Sequence, residues 1–133
     1  MSRVLADTSA YSGFLRGHAG VGEALRVADE IRVTPIVLGE LRAGHLRGSR
    51  RRENEEQLRF FLSSPRVGVL PIDEETAERY AVIVSALRTA GTTISTNDAW
   101  IAASAMQHGL TVLTTDADFL RIPQILVDHQ PAS

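Results

Sequence analysis

Short apolar segments alternate with longer amphipathic segments along the whole chain. The apolar runs with the length of buried strands are 3–6, 30–34, 67–72, 110–114 and 125–127. Between them, apolar residues recur at helical spacing, most clearly over 76–89. This alternation is typical of parallel strands covered by helices. We therefore predict the α/β class, with an open parallel β-sheet flanked by α-helices.

Residues that begin and end helices mark the amphipathic segments. The predicted helices are 8–16, 21–28, 35–46, 50–62, 76–89 and 96–108. Pro35 suits the first position of a helix, and Asp73 and Ser95 are residue types that cap one. Gly91 and Gly109 are placed to end helices. The 133 residues predict a single domain over 1–133.

Composition removes several classes of chemistry. The chain has no cysteine, which excludes disulfides, thiolate nucleophiles and cysteine-type zinc sites. All 14 basic residues are arginine, which excludes Schiff bases and Walker-type phosphate loops. The net charge of -2 means that any contact with nucleic acid must come from a local basic patch. The sequence has neither a signal-peptide pattern nor a membrane-spanning run, so we expect a cytoplasmic protein without a membrane partner.

Acidic residues occupy four short segments that also have local explanations. Asp7 follows the first strand and could cap the next helix, and Asp98 lies three residues after Ser95, as in a capping box. Asp116 and Asp118 could be turn formers. Glu40 differs, because it interrupts a largely apolar helical segment. A buried carboxylate there would cost on the order of 2 kcal/mol or more without a partner, so Glu40 requires a cation or Arg42.

Topology suggests that the acids act together. Ligands of open parallel sheets bind beyond the carboxyl ends of the strands, and Asp7 and Asp116 both follow an apolar strand. If the two strands are neighbours and the helices bearing Glu40 and Asp98 face the same crevice, four carboxylates meet. Clustered oxygen ligands favour Mg²⁺ or Mn²⁺ over Zn²⁺. The pattern therefore predicts phosphoryl-transfer or hydrolysis chemistry.

The same segments resemble the motifs of the PIN-domain ribonucleases, and within them the VapC toxins of toxin–antitoxin pairs. The resemblance rests on 4–9, 39–44, 97–103 and 113–119, in their correct order and spacing. It implies a Mg²⁺-dependent endoribonuclease, with Mn²⁺ as a substitute, that hydrolyses RNA with a metal-activated water. Its implied catalytic and metal-binding residues are Asp7, Glu40, Asp98 and Asp116. Asp118 would assist as a further ligand or from behind the ligands.

Polar and basic neighbours extend this prediction. The residues placed to hydrogen-bond the carboxylates or a phosphate are Thr8, Ser9, Asn97 and Thr114, for which helix capping is an equally good explanation. The candidate contacts to the RNA backbone are Arg42, Arg47, Arg50, Arg51 and Arg52. The alternative for this basic segment is a solvated helix face with pairs such as Arg52 and Glu56. The four histidines have no metal-binding spacing, and Trp100 is expected in the core or in a subunit contact.

Partners are implied by the resemblance alone. VapC-like proteins are usually homodimers that a small VapB-like antitoxin inhibits by laying its C-terminal segment over the acidic site. Two other interpretations stay open. The chain could be a non-catalytic PIN-like module that binds RNA or protein, or a receiver or dehalogenase type that forms phospho-aspartate. The latter is disfavoured by the absence of lysine and by Ser9, where the dehalogenases need a second Asp.

Overall fold

The computed structural model of the protein describes residues 2–132, which form a parallel sheet and its covering helices. The strands are β1 Arg3–Ala6, β2 Glu30–Val33, β3 Val67–Val69, β4 Thr111–Thr114 and β5 Leu126–His129. The helices are α1 Thr8–Leu15, α2 Ala19–Val27, α3 Pro35–Arg47, α4 Arg51–Leu62, α5 Glu74–Thr89 and α6 Thr96–His108. Every predicted strand and helix is present, and the α/β prediction is confirmed.

The strands are all parallel and follow the order β3-β2-β1-β4-β5. The first strand therefore lies in the centre, where Leu5 pairs with Val112 and Ala6 with Leu113. The chain builds one half of the sheet outward from β1 to β3 and then returns to place β4 on the other side of β1. This reversal between β1 and β4 is the position at which open α/β sheets form a crevice.

Both faces of the sheet are buried, as expected of parallel strands. Successive residues of a strand point to opposite faces, and β1 shows this directly. Val4 and Ala6 pack in one core cluster with Val21 and Leu25 of α2. Leu5 packs in the other cluster, which also contains the apolar residues of α3, α5 and α6. Among residues 2–132, no helix has both the length and the apolar character needed to cross a bilayer.

Several boundaries differ from the prediction for local reasons. Strand β3 ends at Val69 rather than at residue 72, and Pro71 cannot donate a ladder hydrogen bond. Helix α2 begins at Ala19, two residues before the predicted start at residue 21, because the His18 ring accepts a hydrogen bond from Val21 N and caps the helix. A 3-10 helix, Ala117–Arg121, follows β4 and was not predicted.

Candidate metal centre

Two of the candidate acids lie at the crevice between β1 and β4. Asp7 follows β1 directly, and its backbone N–H donates to the carbonyl of Leu113 on β4 (3.2 Å). Asp116 lies just beyond β4, with its N–H donating to Thr114 Oγ1 (2.9 Å). The two strands are neighbours, as the site prediction required. The sheet therefore brings both acids to one edge.

Hydrogen bonds hold the Asp7 carboxylate in one orientation. Asp7 caps α1 by accepting from Ala10 N (2.8 Å), and the hydroxyl of Ser9 donates to the same oxygen (2.8 Å). Thr114 Oγ1 donates to the other oxygen (2.7 Å). Ser9 Oγ also accepts from Thr115 N (3.0 Å), which ties the network to the loop after β4. Capping and a place in the site are thus compatible for Asp7.

Helices α3 and α6 bring the other acids to the same place. Thr8, the first residue of α1, donates its hydroxyl to Glu40 Oε1 (2.6 Å). Asp98 lies in the first turn of α6, which Ser95 caps by accepting from Asp98 N (3.1 Å). A cavity of about 250 Å³ opens between these elements. It is lined by Asp7, Thr8, Ser9, Glu40, Asp98, Ile101 and Asp116.

Three of the acids approach one another closely enough to share an ion. Carboxylate oxygens of Asp98, Asp116 and Asp118 all lie within 4.8 Å of one another. Asp116 Oδ1 accepts from Asp118 N (2.8 Å), so the 3-10 helix fixes the relative placement of the last two. Asp98 and Asp116 therefore belong both to this trio and to the cavity that Asp7 and Glu40 line.

The proximity of these acids is reflected in their proton affinity. Burial raises the pKa of Asp98 to about 6, and repulsion from Asp116, Asp7 and Glu40 adds to the effect. Burial likewise raises the pKa of Asp7, against the hydrogen bonds from Thr114, Ala10 and Ser9. Negative charge is thus unfavourable in this cavity unless a cation offsets it.

The donor set fits a hard divalent cation. Every candidate ligand is a carboxylate oxygen, and no histidine or cysteine lines the cavity. Mg²⁺ and Mn²⁺ prefer such oxygens and usually keep several waters, for which the cavity has room. The trio offers three carboxylates, and Asp7 and Glu40 face the same space.

Other candidate residues lie away from the cavity. Asn97 is exposed in the first turn of α6, and its side chain makes no hydrogen bond to the acids within the described part of the chain. Arg42 Nε donates to Glu55 Oε1 (3.3 Å), and Arg50 pairs with Glu53. None of the five candidate arginines lines the acid cavity.

The suggested pairing of Glu40 with Arg42 is wrong. Residues two apart on a helix point in nearly opposite directions, so Arg42 faces α4 while Glu40 faces α1. Thr8 is the partner that Glu40 has. His45 is buried against Glu55 (3.0 Å), whereas His18 caps α2, a role that was not predicted. Trp100 stacks on Tyr80 (centroids 4.1 Å apart).

Sequence reasoning missed two neighbours of the acids. Ile101 lines the cavity one turn after Asp98 and supplies an apolar wall, which its helical spacing could have indicated. Arg121 Nη2 lies 3.6 Å from Asp118 Oδ1, at the three-residue spacing typical of helical ion pairs.

A separate apolar groove of about 840 Å³ was also not foreseen. It lies between the α1–α2 pair and α4, and its lining includes Phe14, Leu15, Leu25, Phe60 and Phe61.

Comparisons with known proteins agree with this architecture. The family model described as PIN domain matches residues 4–125. The chain is similar to Ribonuclease VapC4 from Mycobacterium tuberculosis, at 38% identity over 126 residues, which cover 94% of this chain and 95% of that protein. It is also similar to the structure of DNA-bound VapBC from Salmonella typhimurium, with a TM-score of 0.85, 26% identity and coverage of 97% and 98%. FitAcB from Neisseria gonorrhoeae matches with a TM-score of 0.75, 31% identity and coverage of 93% and 95%.

Proposed function

The chain belongs to the PIN-domain family, and we propose that it is a Mg²⁺-dependent endoribonuclease of the VapC type. The relative from Mycobacterium tuberculosis carries the name ribonuclease and matches over nearly the full length of both chains. The observation that carries the proposal is the convergence of Asp7, Glu40, Asp98 and Asp116 on one cavity. Asp118 extends this cluster, because its carboxylate oxygen lies within 4.8 Å of those of Asp98 and Asp116.

The acids would hold one or two divalent ions. We assign Asp98, Asp116 and Asp118 as the ligands whose mutual spacing suits a shared ion, with Glu40 and Asp7 facing it across the cavity. When bound, Mg²⁺ would lower the pKa of a water toward neutrality and stabilise the charge that develops on the phosphodiester. Phosphodiester hydrolysis of this kind needs no protein nucleophile, in agreement with a chain that lacks cysteine and lysine.

The surrounding side chains keep the ligands in place. Ser9 and Thr114 donate to the Asp7 carboxylate, and these hydrogen bonds partly offset the burial that raises its pKa. Thr8 directs Glu40 toward the cavity. Such groups behind metal ligands typically contribute a 10- to 100-fold effect on affinity or activity, roughly the scale we expect here.

RNA cleavage tests the proposal directly. Purified, antitoxin-free protein is incubated with total cellular RNA in Mg²⁺, and new RNA ends are mapped by sequencing. We expect discrete cuts that EDTA and Asp98→Asn abolish, while Glu78→Gln on the exposed face of α5 leaves them unchanged. Intact RNA in both Mg²⁺ and Mn²⁺ would favour the non-catalytic PIN-like module instead.

A VapB-like antitoxin is the second part of the proposal. The solved structure of VapBC-5 from Mycobacterium tuberculosis, at 28% identity to this chain, is named as a member of the VapBC family of toxin-antitoxin systems. The apolar groove beside α4 suits a segment of such a partner, because Phe60 is 83% exposed at its edge. Helix α1 joins the two regions, since Phe14 lines the groove and Thr8 lines the acid cavity.

Co-purification tests the partner. We expect the antitoxin to be a small protein encoded beside this chain. That protein is co-expressed with the tagged chain, and its recovery on the tag is measured. We expect Phe60→Asp to reduce recovery and relieve inhibition without changing cleavage by the free protein. Val82→Asp, which likewise replaces an exposed apolar residue by an acid, is the control on α5. Equal recovery with both variants would contradict an antitoxin in the groove. The homodimer that the family resemblance implies is a separate proposal, and light scattering of the free protein tests it.

A further inference from the structure

An RNA strand that enters this site meets strong negative charge. Four carboxylates line the cavity, and phosphates on either side of the cleaved one must lie near them. A metal ion offsets only the charges at the centre. The neighbouring phosphates therefore favour a cation from the protein, and in a chain without lysine the side chain with a permanent positive charge is arginine.

Helix α3 places one arginine on the face that bears Glu40. Arg47 lies seven positions after Glu40, or roughly two helical turns, so the two side chains share a face. Gly44 lies between them on that face, one turn and about 6 Å from Glu40. A Cβ atom on Gly44 would lie 3.9 Å from Arg47 Nη2, so the guanidinium folds back over Gly44, toward the helical turn that bears Glu40.

The other arginines near the acids or on the basic segment are differently placed. Arg42 and Arg50 form ion pairs with Glu55 and Glu53 of α4. Arg121 pairs with Asp118, a member of the acid trio. Arg51 and Arg52 line a different concavity, together with Glu55, Glu56 and Arg59. Arg47 is exposed and has no ion pair within residues 2–132.

We propose that Arg47 is a positioning residue that binds an RNA phosphate next to the one in the acid cavity, across the open surface at Gly44. This inference rests on the proposed ribonuclease function. A guanidinium can donate two parallel hydrogen bonds to a phosphate, which sets the direction of the strand as well as attracting it. Arg47 therefore contributes to substrate binding and makes no contact with the reacting atoms.

The test compares Arg47→Gln with Arg79→Gln, a matched change on α5 at an arginine that already has a carboxylate partner, Glu75. A short fluorescein-labelled single-stranded RNA of mixed sequence is titrated in EDTA at several salt concentrations. Loss of one phosphate contact lowers the slope of log K against log salt by about 0.7 and weakens binding roughly fivefold at 0.1 M salt. We expect this for Arg47→Gln and not for Arg79→Gln. Arg47→Lys should restore the slope, because it keeps the charge.

Cleavage kinetics in Mg²⁺ separate this inference from the function on which it rests. We expect Arg47→Gln to raise KM with little change in kcat, as for a contact made equally in the ground and transition states. If the wild type cleaves RNA while Arg47→Gln keeps the wild-type salt slope and KM, the assignment of Arg47 is overturned and the ribonuclease proposal stands. Failure of the wild type to bind or cleave RNA would overturn both.

Discussion

Replacing Asp98 by asparagine should stabilise the metal-free protein. Burial and the neighbouring acids raise the pKa of Asp98 from 3.8 to about 6. The folded state therefore binds the Asp98 proton more tightly than the unfolded state does, and ionisation of Asp98 opposes folding. This penalty is fully present above about pH 6 and disappears as the pH falls toward 3.8. Asparagine has nearly the shape of the aspartate and carries no charge, so it removes the penalty.

The size of the effect follows from the shift. About two pKa units correspond to roughly 3 kcal/mol of differential interaction. Because Asp98 is only half buried, water screens part of this interaction. We therefore expect Asp98→Asn to raise the free energy of unfolding by about 1–2 kcal/mol at pH 7.5. At pH 4.5 most Asp98 carboxyls are already protonated in the folded protein, and the gain should be clearly smaller.

Urea unfolding in EDTA at pH 7.5 and pH 4.5 measures the two free energies of unfolding. Glu78→Gln, an exposed acid-to-amide change, should alter stability by less than about 0.5 kcal/mol. Saturating Mg²⁺ should stabilise the wild type more than Asp98→Asn, because a bound cation removes the same penalty and binds only the folded state. An Asp98→Asn protein that is less stable than the wild type in EDTA at pH 7.5 would refute the electrostatic reasoning.

Three further predictions test other parts of the structure. Mn²⁺ affinity, measured by calorimetry, should increase between pH 5 and pH 7, because the ion displaces the Asp98 proton; a flat profile would exclude Asp98 as a ligand. Thr8→Val removes the hydroxyl that donates to Glu40 (2.6 Å) and should lower Mn²⁺ affinity about tenfold; unchanged affinity would show that Glu40 is held without it. Gly109→Ala should lower the free energy of unfolding in urea by about 1 kcal/mol, because Gly109 ends α6 at φ 66°. Gly39→Ala, at an exposed position of α3, should raise it by about 0.5–1 kcal/mol. Equal effects of the two changes would contradict the backbone argument.

Local patterns in the chain were sufficient for most of the secondary structure. Helix caps such as Asp7, Asp73 and Ser95 bond to backbone N–H groups three residues away, so they can be predicted from the sequence alone. The end of β3 before Pro71 is also a local property, because proline cannot donate a ladder hydrogen bond, although the predicted strand continued to residue 72. The pairing of Arg42 with Glu40 could also have been rejected from helical spacing alone.

Contacts between distant segments could not be predicted from local sequence patterns. Thr8 as the partner of Glu40, and Glu55 as the partner of Arg42, depend on how α1, α3 and α4 pack together. The apolar groove likewise depends on how α4 packs beside the α1–α2 pair, with Phe61 against Tyr11 and Phe14 and with Phe60 left exposed. Hydrophobic spacing identifies a face that needs covering and does not say how completely it is covered.

The sequence by itself determined the α/β class, the approximate elements and the acid motifs, because strand and helix periodicity and capping are short-range properties. Only the tertiary structure decided that β1 lies between β2 and β4, which brings Asp7 and Asp116 to one crevice. It also decided that Asp98, Asp116 and Asp118 approach within 4.8 Å and that burial raises the pKa of Asp98. The physical reason is that charge repulsion and desolvation depend on distances between residues far apart in the chain, and folding alone sets those distances.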